Sequence, residues 1–240
     1  MSMNATLVDS SPALATAYAR DGFCVIPTML TPMECDRLKQ EAHRVIREHA
    51  CPTGTVHVGV ATVSPLFYQL ADDARIVAIL SAIMPTGVMF LSDKLVFKSV
   101  AATFASPWHI DAAYWRNTRP KLSVWIPLDD ATVANGTLKV VRGSHCHEWP
   151  HATSAMRDTN GEFPNVIRDR QWAANDEIIC TVPRGSAIFF SDRLVHGSCP
   201  NTAGTDRFTI ISTYHAPAPD EPFDVNFSAR HVIVTAPATV

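Results

Sequence analysis

Two rhythms divide the chain at Pro85. Before it, apolar residues recur at helical spacing; after it, they fall in short runs broken by turn residues. Residues 12–20 predict a helix with Ser11 as its cap and Pro12 at its first position. Asp21-Gly22 ends that helix, and Phe23–Ile26 reads as a short strand stopped by Pro27. Thr31-Pro-Met-Glu34 has the form of a capping box with proline at N1. Leu38, Ala42, Val45 and Ile46 then share one face, which predicts a helix over 32–49. Ile76, Val77, Leu80 and Ile83 predict another over 72–84.

Beyond Pro85, strands are predicted at 88–91, 94–100, 121–128, 137–141, 177–182, 187–190, 208–215 and 232–234. Turn signals such as Asp129-Asp130, Asn135-Gly136 and Arg142-Gly143 separate them. Many short strands at this spacing suggest a sandwich or barrel, not βαβ units. The expected fold is mainly β with flanking helices: a mainly helical part, 1–85, packed on a double-sheet, jelly-roll core, 86–240, in one domain. Residues 145–175 are polar and patternless, and a stretch of that length is expected to serve as a lid or binding loop.

Composition narrows the function. The chain has 240 residues, of which 47% are hydrophobic and 18% charged, enough for a sizeable core. A net charge of −3 leaves no basic stripe to follow a phosphate backbone, so no nucleic-acid partner is expected. No apolar run is long enough to span a membrane, and the first residues lack the features of a signal peptide. Scattered cysteines without a C-x-x-C read as reduced thiols, and a cytoplasmic location is expected. Oligomeric state is not legible. Ten histidines make metal chemistry the question.

Two motifs compete for a metal. In Trp108-His109-Ile110-Asp111, residues i and i+2 of a strand project to one face, so His109 and Asp111 can hold one ion together. His196, in Phe190-Ser-Asp-Arg-Leu-Val-His196, offers a third ligand from another strand, completing the two-His, one-carboxylate set of non-haem Fe(II) oxygenases. Arg207 follows on the next strand, where a guanidinium can bind a dicarboxylate cosubstrate; Ser198 can add a hydroxyl. The rival is His147-Glu148-Trp149-Pro150-His151, an H-E-x-x-H zinc-hydrolase motif by letter. That motif needs a helix, and Pro150 between its histidines opposes one. The segment reads better as a polar loop, with His145 tying a turn.

The chain resembles the phytanoyl-CoA dioxygenase-like (PhyH) family of Fe(II)/2-oxoglutarate oxygenases. The likeness rests on Asp21–Pro27, Lys94–Lys98, Pro107–Trp115, Leu122–Asp130, Asn135–His145 and His196-Gly-Ser198…Asn201…Arg207. It implies a double-stranded β-helix with Fe(II) held by His109, Asp111 and His196. It also implies 2-oxoglutarate bound by its keto-acid end at the iron and by its far carboxylate at Arg207, with Ser198 and Thr137 as hydroxyl partners. The activity implied is O2-dependent hydroxylation, or another oxidation, of a small-molecule C–H bond with release of succinate. Related halogenases lack the carboxylate that Asp111 supplies. Arg142 stands where the family usually has proline. Lys94 and Lys98 alternate on one strand face, where one can point inward to an anion or both can face solvent; Lys94 is assigned to the cosubstrate. Tyr114, Trp115 and Arg116 are the candidates for facing substrate. A non-catalytic binding protein on the same scaffold is the remaining alternative.

Overall fold

The helical part forms where the caps direct it. In a computed structural model, which describes residues 11–49, 55–99, 104–115, 117–150, 152–153, 163, 165–218 and 227–235, α1 spans Ser11–Asp21 and β1 Phe23–Ile26. α2, Pro32–Glu48, opens on the predicted capping box: Thr31 N–H donates to Glu34 Oε2 at 2.6 Å, and Glu34 N–H to Thr31 Oγ1 at 3.3 Å. A short strand, β2 (Val56–Val58), precedes α3 (Pro65–Ala71) and α4 (Ala74–Ile83). The helix predicted over 72–84 is α4, which starts two residues later, and α3 ahead of it was not predicted. Asp73 is the N-cap of α4, its carboxylate accepting from Arg75 N–H at 2.9 Å, and Ser64 caps α3 ahead of Pro65.

The remaining strands are β3 (Val88–Lys98), β4 (Lys121–Pro127), β5 (Leu138–Val141), β6 (Ala152–Thr153), β7 (Asn165–Val166), β8 (Glu177–Ile179), β9 (Ala187–Ser191), β10 (His196–Ser198), β11 (Arg207–His215) and β12 (His231–Val234). The strands predicted at 88–91 and 94–100 are one continuous strand. Opposite the step from Thr213 to Tyr214 on its partner β11, β3 carries one extra residue, Leu91, as a bulge. The large sheet runs β1-β9-β4-β11-β3-β12, with β2 added to β3; the small sheet runs β10-β5-β8. All of these pairings are antiparallel, and the architecture is the expected jelly roll.

Side-chain alternation decides which core each strand feeds. On β4, Leu122, Val124 and Ile126 pack against the helices, together with Leu38, Val45, Ile76 and Leu80. Trp125 faces the other way and meets Ile188, Phe190, Leu138 and Val140 between the two sheets. The helices thus cover the outer face of the large sheet and leave its inner face to the small sheet and the cavity between them. His145 Nε2 bonds Ala19 O at 3.0 Å, which ties the 142–145 turn to the end of α1. Gly22 makes that approach possible: it sits at φ +81°, and a Cβ there would lie 2.5 Å from the His145 ring. Among the described residues, no helix is long and apolar enough to cross a membrane.

Candidate metal centre

His109 and His196 lie opposite each other in a one-residue bridge. His109 N–H donates to His196 O at 3.0 Å and His196 N–H to His109 O at 2.9 Å. Ile110 stays extended, and Asp111 opens a tight turn, Asp111–Tyr114. The two residues flanking Ile110 therefore converge, although the strand they sit on is a single bridge. Gly197 permits the close approach of the two histidine segments. A Cβ there would lie 2.7 Å from Ser106 O and 3.0 Å from Pro107 O.

The result is a compact donor set. One ligand atom from each of His109, Asp111 and His196 lies within 4.8 Å of the others, the one such group of three among the described residues. Asp111 Oδ1 is 3.7 Å from His109 Nε2 and 3.8 Å from His196 Nε2. Each Nδ1 is engaged by the backbone: His109 with Pro107 O at 2.8 Å, His196 with Leu194 O at 2.9 Å. A carbonyl accepts only, so both Nδ1 atoms carry the proton and both Nε2 lone pairs face Asp111. Burial and the adjacent His196 push His109 down to about 3, so it is neutral. Burial alone would raise Asp111, but Lys94, His196 and His109 outweigh it and hold the carboxyl below its usual value. Two imidazoles turned by their Nδ1 bonds to present Nε2, and one carboxylate, on a common centre fit a divalent iron.

A cavity of about 370 Å³ opens from this centre between the sheets. Inward positions alternate along its strands: Lys94, Val96 and Lys98 on β3, Val56 and Val58 on β2. Arg207 lies in its wall, 2% exposed, with Nε bonded to Asn135 O at 3.1 Å, a guanidinium N–H donating to Thr209 Oγ1, and the guanidinium 5.6 Å from the Trp125 ring. No carboxylate among the described residues pairs with it, and burial lowers it to about 10 against the opposing pull of Asp129. Ser198 lines the cavity too. Lys98 Nζ donates to Ser198 Oγ at 2.7 Å, Phe104 O at 2.8 Å and Cys199 O at 2.7 Å.

The other predicted residues divide. Lys94 and Tyr114 line the cavity, the latter 38% exposed. Thr137 does not: it is fully buried and its hydroxyl donates to Cys180 O at 2.5 Å. Trp115 packs elsewhere, its ring under Lys121 Nζ and against Phe227. Arg116 lies outside the described residues. Trp125, Phe163, Val56 and Val58 also line the cavity, though none was a candidate from the sequence. The Phe163 ring stands edge-on 4.7 Å from that of His109. Val56-His-Val58 carried a period-two signal, too short to stand out ahead of the helices.

The rival motif forms no such centre. His147 is extended (φ −115°, ψ 160°), and both it and Glu148 are exposed on the rim of a separate surface cavity. His151 lies outside the described residues.

Comparison with known proteins places this geometry. A model of the family "Phytanoyl-CoA dioxygenase (PhyH)" matches residues 18–209. The L-proline trans-4-hydroxylase of Streptomyces griseoviridis is 25% identical over 90% of this chain and 88% of its own length. The ectoine dioxygenase of Stutzerimonas stutzeri is also 25% identical, over 84% of this chain and 76% of its own. Among solved structures, the epimerase SnoN in complex with Fe3+, alpha-ketoglutarate and nogalamycin RO superposes with a TM-score of 0.71 at 20% identity, over 85% of this chain and 83% of that one.

Proposed function

The chain belongs to the phytanoyl-CoA dioxygenase (PhyH) family of Fe(II)- and 2-oxoglutarate-dependent oxygenases, and on that premise we propose that it hydroxylates, or otherwise oxidises, an unactivated C–H bond of a small molecule. The observation that carries this reading is the pairing of two features: a buried two-His, one-Asp donor set and, in the same cavity, a buried arginine without a carboxylate partner among the described residues. Its relatives act on proline and ectoine by name, both small molecules.

His109, Asp111 and His196 would hold the metal, beside the cavity that would admit cosubstrate and dioxygen. When bound, iron with 2-oxoglutarate and dioxygen supplies the oxidation, coupled to formation of succinate and CO2. The protein's part is positioning. Pro107 O and Leu194 O fix the imidazoles so that Nε2 faces the metal. Arg207 receives the far carboxylate of the cosubstrate, because a buried guanidinium without an acid gains most from a carboxylate brought to it. Ser198, oriented by Lys98 and by its bond to Ser106 Oγ at 2.9 Å, supplies a hydroxyl. Lys94, whose charge already acts on Asp111, sits at the metal end for the keto-acid group. Thr137, committed to Cys180, is left out of this set. Phe163 and Tyr114 border the space left for substrate, where Phe163 beside His109 helps exclude water.

A panel of small amino acids, cyclic solutes and hydrocarbon acids, assayed for succinate release, tests the reading. Succinate formation should require Fe(II) and 2-oxoglutarate, rise above background with at least one compound, and vanish in Asp111→Ala. Wild-type protein that neither binds Fe(II) nor consumes 2-oxoglutarate would refute it. A zinc hydrolase built on His147 and Glu148 is disfavoured by their exposure and the extended backbone that carries them.

A further inference from the structure

A ladder of indole rings leads away from the metal centre. Trp108 precedes ligand His109 and points to the opposite side, where it is 4% exposed and packs with Ile110, Val141, Ile167 and Val195. Its ring centroid is 5.6 Å from that of Trp172, edge to face. Trp172 in turn stands 5.3 Å from Trp149, and Trp149 6.0 Å from His147 at the surface. Trp149 and Trp172 are half-buried and line the second cavity, of about 410 Å³, which opens to solvent. The catalytic set uses none of these residues.

We propose that Trp108, Trp172 and Trp149 form an electron path that drains oxidising equivalents from the metal centre to the surface when turnover proceeds without substrate. The proposal rests on the oxygenase reading above, which supplies the oxidant. Indole is among the readily oxidised side chains and can give up an electron without first losing a proton, and tunnelling, which decays steeply with distance, is fast between rings this close. The surroundings give the path a direction. Lys139 Nζ lies 4.2 Å over the Trp108 ring, and its positive charge disfavours an electron vacancy resting there. The Trp108 Nε1–H is buried without an acceptor, so Trp108 cannot shed a proton to stabilise the vacancy. Trp172 Nε1–H donates to Glu177 Oε1 at 2.8 Å, and that carboxylate stabilises a vacancy and takes the proton that an oxidised indole releases. The vacancy therefore crosses Trp108 and settles outward.

The electrons balance. Trp108 gives one electron to the oxidised centre, Trp172 refills Trp108, and Trp149 refills Trp172. A one-electron reductant of the ascorbate class refills Trp149 from solvent. Two electrons and two protons return the centre to Fe(II), and its unused oxygen atom leaves as water. Without reductant, the outer indoles remain oxidised and become oxygenated.

The test is mass-spectrometric mapping of oxygenated indoles after incubation with Fe(II), 2-oxoglutarate and dioxygen but no substrate. Oxygenation should concentrate at Trp149 and Trp172 in the wild type and be suppressed by ascorbate. In Trp172→Phe, oxygenation at Trp149 should fall by an order of magnitude and move inward to Trp108. Glu177→Gln, which keeps every ring but removes the proton acceptor, should shift it the same way. Equal Trp149 oxygenation in wild type and both variants would overturn the path, because it would mean attack by oxidants diffusing in solution. The visible band of the anaerobic Fe(II)–2-oxoglutarate complex separates the two readings. A band with unshifted oxygenation refutes the path alone; no band refutes the oxygenase reading and the path with it.

Discussion

Two histidine–carboxylate clusters occupy this chain, and only one is built to hold a metal. At His109, Asp111 and His196, every group is buried or nearly so. Backbone carbonyls at Pro107 and Leu194 fix each imidazole, and a glycine at 197 lets the two segments meet. At His147 and Glu148, the side chains are exposed, and no hydrogen bond or ion pair among the described residues orients either side chain. The letters of the second motif are the more familiar, yet its setting offers no common focus. Donor atoms become a metal site only when backbone geometry and neighbouring acceptors hold them there before the ion arrives.

Replacing a ligand should break the contrast most completely. His109→Ala, His196→Ala or Asp111→Ala should lose more iron affinity and activity than the roughly 10–100-fold that removal of an outer-shell partner costs. Metal content after gel filtration and succinate release check this. Glu148→Gln and His147→Ala, made in parallel, should retain both.

Arg207→Met comes next. It should weaken 2-oxoglutarate by about 2–5 kcal/mol, the cost of removing one partner from a buried charge pair. Iron content should be unchanged, and titration of 2-oxoglutarate into the Fe(II) protein reads the difference. A loss confined to substrate affinity would show that Arg207 serves the substrate instead.

How far the sequence foretold these regions follows from the range of the forces involved. The capping box at Thr31 and the i, i+2 pair at His109 and Asp111 are set by neighbours within three residues, and both emerged as expected. The meeting of His109 with His196 depends on Gly197 fitting against Ser106 and Pro107, a contact between distant segments without a local signal. Asp72-Asp73 looked like a helix's first turn because an acidic first turn and an N-cap have the same composition. Thr137 stands beside strand β5 where a pocket hydroxyl was expected, but strand pairing aims it at Cys180 O. Trp125 serves both core and cavity, since a ring that large reaches both. The His147 motif shows the converse: a strong local pattern without the tertiary support it needs.

Buried acids sharpen the same lesson at smaller scale. Asp111 is held low because Lys94 and the two imidazoles face it. Asp93 Oδ1 accepts from Ala61 N at 3.0 Å, its Oδ2 is unpartnered, and burial outweighs the backbone hydrogen bonds and pushes it up to about 6. A carboxyl raised in the folded state binds more protons there than in the unfolded chain. Its ionisation therefore lowers stability as pH rises from about 4 to about 6 and costs a constant amount above. Asp93→Asn keeps the acceptor and removes the charge. It should raise the melting temperature at pH 8, by on the order of 2 kcal/mol in stability, with the gain vanishing near pH 4. Equal melting curves at both pH values would show that Asp93 is not the strained group.

The most direct test of the central claim is anaerobic titration of Fe(II) into the protein with 2-oxoglutarate, followed in the visible range. The account predicts a metal-to-ligand charge-transfer band that saturates at one iron per chain, is abolished in His109→Ala and Asp111→Ala, and is unaltered in Glu148→Gln. No band in the wild type, or a band that survives loss of Asp111 and disappears with Glu148, would contradict it.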